Sequence, residues 1–287
     1  MRQRVISAIF FVIVMLGGIF GGGTLFFLLF LFITGGSLWE FAGLVFNEER
    51  NYFRLRRVIT TLLGLLPFLF IGLRAMTGVM MADDVIRLWS FPTGSSYWIL
   101  DVGALLLFSI FLLLVMELFL ESRQPFVNLG YYLTGIVYLG IPFAMLIYIA
   151  AGPEGYSPWR VIGLLLLPWT NDTLAYLVGS QIGKTPFFPR ISPKKTWEGT
   201  LGGMVCTVLV AWLLARWLPA YTLREWIVLA AVVGVFGTLG DLVESMLKRS
   251  MGVKDSGSIM PGHGGFLDRF DSFIFVLPFA WLVLMYL

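Results

Sequence analysis

The stretch of the sequence with the most potential for chemistry runs from Lys248 to Ser272 and reads KRSMGVKDSGSIMPGHGGFLDRFDS. It combines five glycines with the only histidine of the chain, His263, and an acid pair, Asp268 and Asp271. Glycines let the backbone approach a ligand closely, and successive backbone N–H groups can form an anion-binding nest. Carboxylate oxygens suit Mg²⁺, which binds through one or two carboxylates, waters and substrate phosphates. The stretch therefore favours an Mg²⁺-assisted reaction at a phosphate over an ordinary solvated loop.

Other acids fall within strongly apolar stretches. Asp241, Glu244 and Lys248 are spaced i, i+3 and i+7, so they share one face of a helix. Asp172 lies in the segment WTNDTLAYLVGSQIGK. An ionisable side chain at membrane depth costs about 3 kcal/mol or more unless it is paired or hydrated. A salt-bridge ladder accounts for Glu244 with Lys248, but it accounts less well for an acid as deep as Asp241.

Three further acids, Glu40, Glu117 and Glu121, fall near the ends of apolar runs. We expect them to reach interfacial water. A second basic loop, GKTPFFPRISPKKTWEGT, contains Lys184, Arg190 and the pair Lys194 and Lys195. Two interpretations of this loop stay open: its cations set the membrane topology and contact lipid headgroups, or they bind a polyphosphate.

The composition indicates what must position these side chains. Hydrophobic residues make up 58% of the 287 residues, charged residues 13%, and the mean hydropathy is +0.87. Soluble domains contain roughly 25% charged residues. A soluble domain, a disordered chain and a disulfide scaffold are therefore excluded, the last also because Cys206 is the only cysteine. The small and dispersed net charge of +3 indicates no nucleic-acid partner.

The apolar runs predict an all-α polytopic integral membrane protein. About 20 apolar residues span a bilayer as a helix. The nine predicted spans are 5–20, 25–46, 57–73, 98–116, 129–150, 160–180, 200–219, 226–247 and 269–287. We expect a single membrane domain over 1–287, in which 1–150 serves as scaffold or subunit contact. Residues 160–287 are expected to supply the catalytic helices and loops and a polar cavity that faces the cytoplasm.

The distribution of cations predicts the orientation. With nine spans, 15 of the 20 Lys and Arg residues fall on the side of the N terminus and 5 on the opposite side. The positive-inside rule then places the N terminus in the cytoplasm and the C terminus outside.

The segments SMLKR (245–249), KD (254–255) and PGHGGFLDRFD (261–271) together resemble the signature of the phosphatidate cytidylyltransferases, or CDP-diacylglycerol synthases. The segments NDTLAYLVGSQIGK and SPKKTWEG also resemble this family. Met260 and Leu174 depart from its pattern by apolar changes, which affect packing rather than chemistry. The resemblance implies the transfer of CMP from CTP to phosphatidate, with release of pyrophosphate, in the inner (plasma) membrane. It also implies an active site that faces the cytoplasm and a homodimer.

The resemblance further implies roles for individual residues. The implied catalytic residues are Asp241, Asp268, Lys248 and His263. The implied ligands of Mg²⁺, with a second cation left open, are Asp241, Asp268, Asp172 and Asp271. The implied substrate-binding residues are Asp172, Lys184, Ser192, Lys194, Lys195, Lys248, Arg249, Lys254, Asp255, Gly264, Gly265 and Arg269.

Two other functions stay open at this point. One is an ion-coupled transporter that uses Asp172, Asp241 and Glu244 as intramembrane sites, although no internal repeat is visible. The other is a CTP-dependent polyprenol kinase, which would release CDP instead of pyrophosphate. The DG-x₂-AR motif expected of a CDP-alcohol phosphatidyltransferase is absent from the sequence.

Overall fold

The computed structural model describes residues 2–46, 52–76, 98–152, 155–257, 259 and 264–287 of the chain, and these residues are mostly helical. The described helices are α1 (Arg2–Phe20), α2 (Gly23–Val45), α3 (Phe53–Met76), α4 (Trp98–Phe119), α5 (Pro125–Ala150), α6 (Pro158–Ile182), α7 (Trp197–Leu214), α8 (Leu223–Ser250) and α9 (Leu267–Tyr286). Two of them pass through a π-helical stretch, α5 at Gly135–Gly140 and α8 at Val233–Gly237. The all-α prediction is confirmed.

Two short antiparallel hairpins accompany the helices. One pairs β1 (Ala151–Gly152) with β2 (Gly155–Tyr156), and the other pairs β3 (Pro186–Phe188) with β4 (Ser192–Thr196). The second hairpin carries the basic loop that the sequence singled out.

Seven helices of the described chain are long and apolar enough to cross a membrane: α2, α3, α5, α6, α7, α8 and α9. The described apolar parts of α1 and α4, Ile6–Phe20 and Leu107–Phe119, are shorter. Many large apolar side chains lie on the outer surface, among them Phe119 and Phe126. Lipid is the solvent that suits such a surface, so the chain is a polytopic integral membrane protein. The nine predicted spans coincide with the nine described helices, whereas nine crossings stay a prediction.

The predicted span 200–219, like the others, has ends that the sequence defines only to within several residues, and the helix α7 differs from it at both ends. The helix α7 begins at Trp197 because the Thr196 hydroxyl accepts a hydrogen bond from the Gly199 N–H at 3.2 Å and caps it. It ends at Leu214, and residues 215–217 form a turn before Pro219. The apolar run continues through that turn, so hydrophobicity alone did not mark the end of the helix.

Small residues bring α6 and α7 together. A Cβ atom on Gly203 would lie 2.6 Å from the Cβ of Ala175, and one on Gly199 would lie 2.7 Å from the Ala175 carbonyl oxygen. Membrane helices pack closely through such small residues at intervals of four. This contact fixes the end of α6 against the start of α7, beside the basic hairpin.

The helices α3, α4 and α5 meet around a buried ion pair. The Glu117 carboxylate is 1% exposed and pairs with Arg56, and it also accepts hydrogen bonds from Asn128 Nδ2 and Tyr132 Oη, each at 2.9 Å. The expectation that Glu117 reaches interfacial water is therefore wrong. Hydrogen-bond donors from the neighbouring helices α3 and α5 take the place of the interfacial water that was expected around Glu117.

The chemically interesting loops lie at one end of the bundle. The pairs Arg56–Glu117 and Lys248–Asp268 join helix ends there. The opposite end is closed by tyrosines, with Tyr156 donating to the Ile19 carbonyl at 2.6 Å and Tyr221 to the Arg160 carbonyl at 2.8 Å. Burial raises the pKa of Tyr221, which keeps its hydroxyl protonated as a donor. The loops that sequence analysis assigned to the cation-rich side thus cluster at one end.

Candidate active site

A cavity of about 620 Å³ lies at this end of the bundle, between α1, α6, α8, α9 and the β4–α7 junction. Its walls are of two kinds. Ala8, Phe11 and Val12 of α1 and Trp169 of α6 form an apolar wall. The charged part of the wall contains the predicted site residues Asp172, Lys194, Lys195, Asp241, Asp268, Arg269 and Asp271. A cavity with these two surfaces can accommodate a molecule that has a phosphate head and an apolar tail.

Three acids come together beside the cavity. Asp241 and Glu244 of α8 and Asp271 of α9 each offer a carboxylate oxygen, and these oxygens all lie within 4.8 Å of one another. Gly240 permits this approach, because a Cβ there would lie 2.6 Å from the Cβ of Phe275 and 3.0 Å from the Asp271 carbonyl oxygen. Three carboxylates at this spacing form a donor set that fits a hard divalent cation such as Mg²⁺.

Two lysines balance part of this negative charge. Lys248 pairs with the fully buried Glu244 one turn away and also with Asp268 Oδ1 at 2.7 Å. Lys195, from β4, pairs with Asp241. The helical face predicted from the spacing of Asp241, Glu244 and Lys248 is present in α8, and the basic hairpin reaches the same acids.

Asp268 has different surroundings from the acid cluster. Its Oδ1 accepts from Lys248, and its Oδ2 accepts from the Gly265 N–H at 2.7 Å and from the N–H and hydroxyl of Ser256, both at 2.9 Å. Gly264 adopts a φ of +80°, and a Cβ there would lie 2.5 Å from Asp268 Oδ2. Asp268 is thus hydrogen-bonded to the Gly-rich segment, whereas Asp241 and Asp271 lie together with Glu244.

Asp172 lies on the α6 side of the cavity. Its Oδ2 accepts a hydrogen bond from the Ser272 hydroxyl at 3.3 Å, and Ser272 follows Asp271 directly on α9. This contact places Asp172 beside the part of α9 that carries Asp271.

The remaining predicted substrate-binding residues lie outside the described lining of the cavity. Lys184, Lys254 and Asp255 are exposed in connecting segments, Arg249 is exposed in the last turn of α8, and Ser192 begins β4. The Arg249 guanidinium donates to the Val253 carbonyl at 3.1 Å. Gly265 contributes its backbone N–H to Asp268, as described above. His263 lies outside the described residues.

Glu40 of α2 also belongs to this region, although the sequence pattern assigns it no role in a site. It was expected at interfacial water, but it is 4% exposed and accepts hydrogen bonds from the Ser256 hydroxyl at 2.9 Å and from the Phe266 and Leu267 N–H groups at 3.0 Å. The only sequence signal was an acid within the apolar run GSLWEFAG. Its partners lie more than 200 positions away, so no local pattern could reveal them.

Comparison with known proteins places the chain among relatives of similar length. Residues 2–287 match the model of the cytidylyltransferase family. The phosphatidate cytidylyltransferase of Staphylococcus haemolyticus (strain JCSC1435) is 34% identical over 264 residues, which cover 91% of this chain and 95% of the relative. The protein of the same name from Bacillus subtilis (strain 168) is 37% identical over 207 residues, covering 70% and 76%. The one from Staphylococcus aureus (strain COL) is 41% identical over 177 residues, covering 61% and 66%.

The family match extends over the described helices and the segments that form the cavity, including α1 and α9. It includes the Gly-rich segment and the two segments around Asp172 and Lys195 on which the resemblance rests. The chain therefore belongs to the cytidylyltransferase family.

Proposed function

We propose that this protein transfers CMP from CTP to phosphatidate, giving CDP-diacylglycerol and pyrophosphate. The observation that carries the proposal is the cavity with two kinds of wall, in which a cluster of carboxylates and lysines adjoins the apolar face of α1. The names of the relatives support the choice of substrates. A soluble nucleotide and a membrane lipid can meet in such a cavity without removing the acyl chains from the bilayer.

The acid cluster supports a role for Mg²⁺. In this proposal Asp241, Glu244 and Asp271 hold the ion. Asp172, which is joined to α9 through Ser272, would take part in a second cation site. The bound ion would neutralise phosphate oxygens during the transfer. Asp268, which sequence analysis ranked with Asp241 as a ligand, instead orients Lys248 and the Gly-rich segment.

The other residues act by position and charge. Lys194, Lys195, Lys248 and Arg269 would bind phosphate oxygens of the two substrates and hold them in line. The lipid phosphate is itself an anion and attacks the α-phosphorus of CTP directly, so no protein nucleophile is required. Pyrophosphate then leaves toward the open end of the cavity. Catalysis of this kind depends on alignment and on stabilisation of the developing charge.

The orientation follows from the substrates as well as from the cations. CTP is a cytoplasmic molecule, so the end of the bundle that carries the cavity faces the cytoplasm, with the N terminus inside and the C terminus outside. In this proposal the membrane is the inner (plasma) membrane of the cell, and the relatives of similar length come from bacteria. Assembly as a homodimer stays a prediction from the family resemblance.

The proposal is tested with purified protein in mixed micelles of detergent and phosphatidate, supplied with CTP labelled at the α-phosphorus. We expect a labelled lipid and an equal amount of pyrophosphate, both abolished by a chelator and restored by Mg²⁺. Release of CDP with a phosphorylated polyprenol would instead support the kinase. Ion transport by reconstituted protein without any turnover of CTP would support the transporter and contradict the proposal.

A further inference from the structure

Glu40 lies where the N-terminal half of the chain meets the Gly-rich segment. It is on α2, within the half of the chain that sequence analysis treated as scaffold, and it is 4% exposed. Its carboxylate has three donors, all from the segment that leads into α9: the Ser256 hydroxyl and the N–H groups of Phe266 and Leu267. Arg57 of α3 also interacts with it electrostatically.

The contact supplies a cap that α9 does not have in its own sequence. The first N–H groups of a helix have no partners within the helix, and a Ser, Thr, Asp or Asn at the N-cap usually accepts from them. The N-cap position of α9 is Phe266, which has no side-chain acceptor. Glu40 accepts from Phe266 and Leu267 instead, and a negative charge is favourable at a helix N-terminus.

Gly257 and Gly265 leave room for the Glu40 carboxylate because they have no side chain. A Cβ on Gly257 would lie 2.5 Å from Glu40 Oε1, and one on Gly265 would lie under 3.0 Å from Glu40 Oε2. One turn earlier on α2, Gly36 makes room for the ring of Phe266, since a Cβ there would also lie under 3.0 Å from it. The backbone at Gly257 and the backbone at Gly265 therefore both approach the Glu40 side chain closely.

A chain of contacts leads from Glu40 to the cavity. The Ser256 hydroxyl lies 2.9 Å from Glu40 Oε2 and 2.9 Å from Asp268 Oδ2. Asp268 in turn binds Lys248, which pairs with Glu244 of the acid cluster. The position of Lys248 relative to the acids thus depends on a residue outside the cavity.

We propose that Glu40 is a positioning residue of the active site. It holds Ser256, Phe266 and Leu267 in place so that Asp268 keeps Lys248 beside the acid cluster. The inference rests on the proposed function, because the activity that it supports is the transfer of CMP to phosphatidate.

The test uses the full-length protein with Glu40→Gln, which keeps the size of the side chain but turns one acceptor oxygen into an N–H donor. Loss of such a supporting contact is expected to lower kcat/KM by about 10- to 100-fold per folded molecule. Hydrogen exchange of the peptide that contains Phe266 and Leu267 should accelerate, while exchange in α5 stays unchanged. The matched control is Glu117→Gln, which removes another buried acid charge away from the cavity. It should lower the apparent Tm but keep kcat/KM per folded molecule.

A second variant, Ser256→Ala, removes only the bridging hydroxyl and carries the test if Glu40→Gln does not fold. It should lower kcat/KM in the same direction, and the double variant should cost no more than Glu40→Gln alone, because contacts in one chain are not additive. Wild-type kcat/KM in Glu40→Gln, or fully additive effects, would overturn the proposal. Unchanged hydrogen exchange at Phe266 and Leu267 in Glu40→Gln would also overturn the proposal, and this measurement does not depend on the activity. A wild-type protein without activity on CTP and phosphatidate would contradict only the proposed function.

Discussion

Asp268 and Asp271 lie one turn apart on α9, yet their carboxylates have opposite surroundings. Asp268 is surrounded by donors from Lys248, Ser256 and Gly265. Asp271 instead faces the carboxylates of Asp241 and Glu244. The donors around Asp268 already stabilise its negative charge, whereas a bound cation would stabilise a carboxylate that faces other carboxylates. The two acids should therefore respond differently to loss of their charge.

We expect Asp271→Asn to lower turnover by about 100-fold or more, the order of effect seen when a charge-stabilising group is removed from an active site. The variant should also need more Mg²⁺ for half-maximal rate, with little change in the apparent Tm. The measurements are the CMP-transfer assay over a range of Mg²⁺ concentrations and thermal unfolding in detergent. Glu121→Gln, an exposed acid on a loop between α4 and α5, is the control. A rate and Mg²⁺ dependence like those of the wild type would remove Asp271 from the site.

The side chains of the acid cluster could be anticipated from the sequence only in part. The i, i+3 and i+7 spacing of α8 was enough to group Asp241, Glu244 and Lys248, because a helix fixes which residues share a face. The sequence predicts Glu244 as a salt-bridge partner or as an intramembrane site of a transporter, but not as a neighbour of Asp271, since the approach of Asp271 depends on the packing of α9 against Gly240. The role of Glu40 could not be predicted, because its hydrogen-bond partners lie more than 200 residues away in the sequence.

At the scale of elements, the sequence located the helices of the described residues better than it located their ends. Continuous apolar runs identified all nine described helices, because helix formation and burial in lipid both require them. The ends depend on caps and turns, such as Thr196 before α7, and these are weak signals within a run of apolar residues. The role of α1 also escaped prediction. Its apolar wall faces the cavity rather than serving only as scaffold.

The close contact between α6 and α7 predicts that replacing Gly203 by alanine destabilises the protein. Gly203→Ala places a methyl group 2.8 Å from backbone atoms of Ala175, which α6 cannot move easily. We expect it to destabilise the protein by about 1–3 kcal/mol, the usual cost of overpacking, and to lower the apparent Tm in detergent. Gly130→Ala on α5 is the matched control, since a Cβ there has no atom within 4 Å. Equal Tm values for the two variants would contradict this account of the contact.

At the scale of the whole molecule, the clustering of the chemical groups at one end predicts the sidedness of the chain in the membrane. In a Cys206→Ser background, Glu121→Cys reports on the end with the cavity and Arg224→Cys on the opposite end. We expect a membrane-impermeant maleimide to label Arg224→Cys in intact spheroplasts, and Glu121→Cys only after permeabilisation. The reverse pattern would place the cavity outside the cell and would rule out CTP from the cytoplasm as the substrate.

The link between Glu40 and the start of α9 also has a consequence for biogenesis. The two lie 226 residues apart in the chain. Because ribosomes add about 5–20 residues per second, α2 enters the membrane roughly 10–45 s before the N–H groups that will satisfy its carboxylate have been synthesised. During that interval the nascent chain must keep this acid hydrated or protonated at the edge of the bilayer, so the final docking of α9 completes the insertion of a helix made near the beginning of translation.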